Sequence, residues 1–176
     1  MNIFYLDADP SECAKFHFNK HIIKMLTEYI QILCTNIHLL FPNIVKKLLD
    51  SKTIELFKPT HKNHPSVIWA RSSVENFKWL LQLAIECGKE HEFRYSPKKS
   101  HRSLEKVKYI NLFIPFLDKV IKENDFFEPP QAMPEVYKNP SSLKAYHNYY
   151  NSDLKSHLVF FKKRAIPYFI KVNKLN

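Results

Sequence analysis

Glycine is nearly missing from this chain. Of 176 residues only Gly88 is glycine. Tight hairpins, phosphate loops and dinucleotide fingerprints need glycine where the backbone takes positive φ or a ligand comes close. A P-loop nucleotidase, a Rossmann dehydrogenase and a compact barrel of hairpins are thereby disfavoured. Cysteine is scarce too. Cys13, Cys34 and Cys87 are widely spaced in apolar surroundings, with no CxxC pair, so buried reduced thiols are expected rather than disulfides or a zinc site. Long apolar runs are also missing. None reaches the ~18 residues of a membrane span, and Asp7 and Asp9 fall where a secretory signal would begin its apolar stretch. An intracellular setting is expected: cytoplasm, nucleus or virus-infected cell, with no membrane partner.

What the chain has in excess is positive charge. The formal net charge is +10, and it is unevenly placed. Residues 89–108 hold seven basic and three acidic side chains, residues 144–176 hold seven and one, and the remainder is balanced at 13 of each. Two basic blocks on a neutral body point to a polyanionic partner, with DNA favoured over RNA. Arg94, Lys98, Lys99, Arg102, Lys162, Lys163 and Arg164 are the candidates for contact with a nucleic-acid backbone.

Apolar residues make up 45% of the chain, enough for one core. The 11 prolines sit mostly between periodic segments. Residues 2–6 form a short apolar run, a strand or an extended segment. Asp9-Pro10-Ser11-Glu12 reads as a capped helix start with a capping box, and the helix is expected to run from Pro10 to Leu40. A short helix is expected over 43–51 and a long one from Pro65 to Arg94, with Gly88 kinking or fraying its end. A further helix is expected over 103–123, interrupted at Pro115, and a last one over 141–163. No repeat or domain boundary is visible. The expected architecture is all-α: one orthogonal helical bundle, residues 1–176, with a short extended N-terminal segment.

On the first helix Phe18, Ile22, Ile23, Leu26, Tyr29, Ile30, Leu33 and Ile37 gather on one face. His17, His21, Lys24, Glu28, Gln31 and Thr35, at steps of three and four, form a second stripe. A solvated polar face is the plain reading. The alternative is a site, because the stripe carries two histidines, one carboxylate and one amine, and is flanked by Ala14, Met25 and Ile32. His21, with His17, and Glu28 are then candidate acid–base groups. Lys24 is a candidate phosphate clamp or, if desolvated, an amine nucleophile. His17 and His21 stand one turn apart, as paired metal ligands do, but the glutamate of a zinc protease is missing between them. No metal and no cofactor is expected.

Three other segments carry chemistry. Thr60-His61-Lys62-Asn63-His64 precedes a helix whose first amides can bind an anion. Its plain role is a loop in which Asn63 or His64 caps that helix. Trp69 and Arg71 follow within two turns. Tyr146, Asn148 and Tyr149 lie in the most basic third and resemble a base-stacking surface, although such rings often pack in a core. The Gln131-Ala132-Met133-Pro134 loop is a candidate pocket wall.

The stretches MNIFYLDADPSECAKFHFNKHIIKMLTEYIQIL, KPTHKNHPSVIWARSS, PPQAMPEVYK and AYHNYY resemble, in the same order, a family of short proteins encoded by phages and large DNA viruses. That resemblance implies a viral or mobile-element context and supplies no activity. The chain also resembles the small all-α pyrimidine-dimer DNA glycosylases of the phage endonuclease V type. That family carries a histidine and a catalytic glutamate seven residues apart on its first long helix, as His21 and Glu28 stand here. It also has a His-initiated helix in mid-chain, similar to His64 through Arg94, and a basic aromatic C-terminal segment, similar to Tyr146 through Lys171. It departs in attacking with the α-amine of a small residue exposed after Met removal, whereas Asn2 here favours retention of Met1. Its arginines beside the glutamate have no equivalent beyond Lys24.

The function expected from these readings is an enzyme acting on nucleic acid, by base excision or processing of a modified base. The alternatives are an enzyme acting on free nucleotides or RNA, and a non-enzymatic viral nucleic-acid-binding protein.

Overall fold

The computed structural model describes residues 1–171; the last five residues of the second basic block lie outside it. The chain is all-helical, with no strand among the described residues. In chain order the α-helices are α1 (Pro10–Phe16), α2 (Asn19–Leu40), α3 (Pro42–Asp50), α4 (Pro65–Ser72), α5 (Val74–Tyr95), α6 (Val107–Asn111), α7 (Leu117–Val120), α8 (Ser142–Tyr150) and α9 (Asp153–Ser156). Short 3-10 turns span Arg102–Lys106, Ile114–Phe116 and Glu135–Tyr137. No single described helix is long and apolar enough to cross a membrane.

α2 and α5 form the centre, with α1 and α4 packed on them. One apolar cluster includes Phe18, Ile22, Leu26, Tyr29, Ile30, Leu33 and Ile37 of α2 and Phe77, Leu80 and Ala84 of α5. α3 turns away from α2 by 108° at Phe41, because Pro42 cannot donate the next helical hydrogen bond. Ile3 to Leu6 run extended through the core, fully or almost fully buried. They need no partner strand because side chains satisfy their backbone. The Phe4 amide donates to the Tyr29 hydroxyl, the Cys13 thiol to the Phe4 carbonyl, and His147 Nε2 lies 2.9 Å from the Leu6 carbonyl.

Four expected helices are broken. The expected helix 10–40 divides at His17 and Phe18, whose ψ values of 138° and 153° are extended. The cause is local: His17 Nδ1 lies 2.7 Å from the Cys13 carbonyl, the acceptor its own amide would use in a helix, and that amide turns to Ala14 instead. Asp9 caps α1 as expected, accepting from the amides of Ser11 and Glu12, but the Glu12 carboxylate pairs with Lys15 rather than closing a capping box. The expected helix 65–94 divides at Ser73, which is extended and caps the Glu75 amide. Residues 103–123 form 3-10 turns with short α6 and α7, and the expected helix 141–163 ends at Tyr150. Gly88 neither kinks nor frays α5, which continues to Tyr95. A Cβ there would stand 2.6 Å from Leu104 Cδ1, so glycine lets the 102–106 turn pack directly on the helix.

The break between α1 and α2 is sealed by Arg94. Its guanidinium is fully buried and donates to the Lys15 and His17 carbonyls, to Asn19 Oδ1 and to the Glu90 carboxylate. Arg164 holds the same carboxylate from the C-terminal segment, with 2.8 Å to Oε2. Burial pushes the Glu90 carboxyl up, but the Arg164 and Arg94 hydrogen bonds outweigh it and leave it below the ordinary carboxylate value.

Candidate functional site

α2 begins after the break, so His17 is outside its register while His21, Lys24, Glu28, Gln31 and Thr35 keep their common stripe. Exposure along that stripe is graded. His21 and Thr35 are buried, Glu28 and Gln31 are half-buried, and Lys24 is exposed. The stripe is therefore covered at both ends and open in the middle.

The covering pieces come from four distant segments. At the far end Gln31 Nε2 donates to the Lys58 carbonyl and the Thr60 amide donates to Thr35 Oγ1, which docks the polar loop 58–64 against α2. At the near end Phe4 stacks on the His21 ring, centroids 4.4 Å apart, and the Tyr150 hydroxyl lies 2.7 Å from His21 Nδ1. In the middle the Asn2 amide donates to Glu28 Oε2 at 3.1 Å, and Lys24 Nζ lies 3.6 Å from Glu28 Oε1. The Met1 amine stands 3.9 Å from Oε2. Asn2 also ties in the fourth segment. Its side chain donates to the Ala132 carbonyl and accepts from the Tyr146 hydroxyl. Glu28 is the one acidic residue between Glu12 and Asp50, and it sits where these segments meet.

The neighbourhood of Glu28 is basic and aromatic. The His64 imidazole is near enough to feel both the Met1 amine and Glu28. Burial comes first, then the Met1 amine and His61; together they hold it below its ordinary value, against the Glu28 charge. Lys155 of α9 brings its ammonium over the Phe4 and Tyr149 rings, at 5.3 and 4.9 Å from their centroids. Burial first, and then Lys24, lower its pKa. Tyr149 stacks obliquely on Tyr137, centroids 5.4 Å apart.

Several expected site residues serve the fold instead. His17 is fully buried with both ring nitrogens occupied, by the Cys13 carbonyl and the Tyr29 hydroxyl. Burial lowers its pKa to about 4, and no substrate reaches it. Trp69 is buried, edge-on to Trp79 and Phe126, and its indole N–H donates to the Phe127 carbonyl. Arg71 donates to the Lys62 carbonyl and Asn36 Oδ1, holding the 58–64 loop in shape rather than waiting for a phosphate. Tyr146 is buried, with its hydroxyl spent on Asn2 and Pro130. Arg94 is spent on the helix break. Lys24 does not meet the condition for an amine nucleophile: its side chain is 72% exposed, so nothing desolvates it.

Others stand where substrate can meet them. Thr60 is half-buried, its hydroxyl 2.8 Å from His61 Nδ1. His61, Lys62 and Asn63 are exposed on the loop rim. His64 Nδ1 accepts from the Ser66 amide and caps α4, the plain role expected of it, while its half-buried ring still feels the Glu28 charge. Asn148 is exposed and Tyr149 half-buried.

The two basic blocks meet in space. Lys162 lies over the Tyr95 ring, Lys163 donates to the Phe93 carbonyl, and Arg164 lies over the Phe93 ring while paired with Glu90. The Lys162 amide donates to Asn19 Oδ1, which places this segment beside exposed Lys20 at the start of α2. Lys98, Lys99 and Arg102 are exposed just beyond α5, and Ser103 touches Thr27 of α2 at 3.2 Å. The exposed lysines Lys20 and Lys24, one turn apart, thus link this basic surface to Glu28. Lys106, by contrast, is buried and paired with Glu55.

Asn2 is the contributor that sequence patterns hid, because it acts through its backbone amide. Lys144 and Lys155, interleaved with the aromatic residues near 146–150, were legible as part of a base-stacking surface. The position of Lys155 near Glu28 was not, since it lies on a helix of four residues. No cluster of three or more metal-capable side chains is present among the described residues. No family model, curated protein or solved structure matches the chain.

Proposed function

We propose that this protein is an enzyme acting on nucleic acid, and that it excises or processes a base of DNA with Glu28 as its reacting carboxylate. One observation carries the reading. A lone carboxylate, half-buried and fixed by the Asn2 amide, stands among histidine, lysine and tyrosine side chains, beside a basic surface. Cleavage of an N-glycosidic bond builds positive charge on the sugar, and a carboxylate in a poorly hydrated site stabilises that charge or activates the attacking water. A base inside a duplex must first leave the stack, and aromatic side chains receive it. Tyr149 offers such a ring. The rim residues His61, Lys62 and Asn63 are suited to hold the flanking strand, and Lys162, Lys163, Lys98, Lys99 and Arg102 to neutralise backbone phosphates.

The test is turnover on a panel of duplexes, each carrying one damaged or modified pyrimidine, by the wild type and by Glu28→Gln. Glutamine keeps an oxygen for the Asn2 amide, so folding should survive. Excision by the wild type and loss of roughly 10²–10⁴-fold in the variant, with duplex affinity retained, is the expected result. Unchanged turnover in Glu28→Gln, or no turnover by the wild type on any duplex, overturns the reading.

A further inference from the structure

Near Glu28 stands a cation that the fold does not use. The Lys155 ammonium makes no ion pair and no side-chain hydrogen bond among the described residues; its near neighbours are the faces of Phe4 and Tyr149. A structural lysine would normally reach a carboxylate or bulk water, but this one is half-buried against rings. Lys24 and Glu28 are the charges it feels. Since Lys24 already faces Glu28, the two ammonium groups outnumber the one carboxylate.

His21 adds a third donor. The Phe4 ring stacks on the His21 ring and has the Lys155 ammonium 5.3 Å from its centroid. Burial keeps His21 neutral, with its pKa lowered to about 2, so it holds a single proton. The Tyr150 hydroxyl shares one hydrogen bond with His21 Nδ1. The other ring nitrogen, Nε2, has no hydrogen-bond partner among the described residues and is not sealed from solvent, so it can donate to a ligand when the Tyr150 hydroxyl donates to Nδ1.

We infer that Lys155, Lys24 and His21 form a phosphate subsite beside Glu28, which takes the phosphate of a nucleotide whose base lies against Tyr149. The inference rests on reading Glu28 as the carboxylate of a nucleotide-processing site. A phosphate, with three non-bridging oxygens in a monoester and two in a backbone diester, is met readily by separate ammonium and imidazole donors. A carboxylate presents two in one plane and is better held by a guanidinium fork, and the arginines nearest the polar segments, Arg71, Arg94 and Arg164, are occupied elsewhere. Lys155 over an aromatic face loses little when the phosphate displaces its remaining water. The half-buried Tyr149 ring beside it supplies the stacking surface.

The phosphate can belong to a free nucleotide or to the backbone beside an extruded base, and the experiment separates them. Binding is measured for thymidine 5′-monophosphate, for thymidine and for a duplex with a stable abasic-site analogue, using the wild type, Lys155→Met and Lys155→Arg. Methionine keeps an unbranched stem on the rings, and thermal melting checks that the fold is intact. Lys155→Met is expected to weaken the monophosphate, the duplex or both by roughly tenfold or more, the worth of a charge-assisted hydrogen bond. Thymidine should be unaffected, and Lys155→Arg should stay within about threefold of wild type. Loss on the monophosphate identifies a free nucleotide, and loss on the duplex alone identifies a backbone phosphate. Equal affinity of wild type and Lys155→Met for both phosphate-bearing probes, or no binding of either by the wild type, overturns the subsite. Glu28→Gln separates the two proposals. If it retains turnover while Lys155→Met loses phosphate affinity, the base chemistry falls and the subsite stands; the reverse pattern removes only the subsite.

Discussion

Two polar regions of this molecule lie close together along the chain and have opposite fates. At the break between α1 and α2, His17 and Arg94 are buried, and the imidazole and guanidinium find their partners inside the protein. Farther along α2, Lys24 and Glu28 stand with charge to spare. The residue types are the same in both places: histidine, a basic group and one carboxylate. What differs is satisfaction. Arg94 has five N–H donors in a rigid fork, and the helix break supplies carbonyls that match them. Glu28 is met by one amide and by ammonium groups that remain partly or largely in water. A polar cluster closed on itself rigidifies a fold, whereas one left open can bind.

The largest expected effect tests the open region. Glu28→Gln should lower excision by roughly 10²–10⁴-fold with a melting temperature close to that of the wild type. A large fall in melting temperature instead would place Glu28 with the closed region. The closed region is tested by Arg94→Met. It leaves the Glu90 carboxylate to Arg164 alone and takes the guanidinium from three backbone or amide acceptors, so unfolding in urea should show a loss of about 3–5 kcal/mol. A loss under about 1 kcal/mol would mean that water replaces the guanidinium.

Acid should weaken both regions, since burial also lowers His21 to about 2. His17 is neutral in the fold, with its pKa lowered to about 4 by burial, whereas an unfolded histidine titrates near ~6.5. The unfolded chain binds the proton first, so the stability contributed by neutral His17 is complete above about 6.5 and is lost as pH falls towards about 4. By pH ~5 the loss is on the order of 2 kcal/mol. Glu90 adds to it lower down, since its folded value lies below the ordinary carboxylate range. Urea midpoints at pH 7.5, 6 and 5 measure the slope, and His17→Asn should remove its share, leaving that of His21. An unchanged slope would remove His17 as a source. The smallest effect belongs to the joined basic blocks. Lys162→Ala with Lys163→Ala should reduce the slope of log affinity for duplex DNA against log salt by about 1 per lysine. An unchanged slope would detach that surface from nucleic acid.

Much of this architecture was legible beforehand. The cap at Asp9, the proline starts at Pro10, Pro42 and Pro65, and the apolar face of α2 follow from local rules about donors and periodicity. The breaks at His17 and Ser73 were not legible, because apolar spacing continues smoothly across both. They come from one imidazole taking a main-chain carbonyl and one hydroxyl capping the next helix. The stripe of α2 was visible as a stripe. Which of its members are walls and which are open was not, since burial depends on segments 58–64, 131–133 and 146–155 arriving from elsewhere.

The sequence alone determined the helical class, the shortage of turns and phosphate loops that need glycine, the excess of positive charge and the short list of polar residues with chemistry. These are properties of composition and of neighbours within a few positions, and the physics that sets them is local. Only the tertiary structure decided that Arg94 and His17 are sealed, that Asn2 anchors Glu28, and that Lys155 stands near it. A charged side chain becomes a structural lock or a binding group according to whether the rest of the chain brings it enough partners, and those partners lie up to 144 positions away.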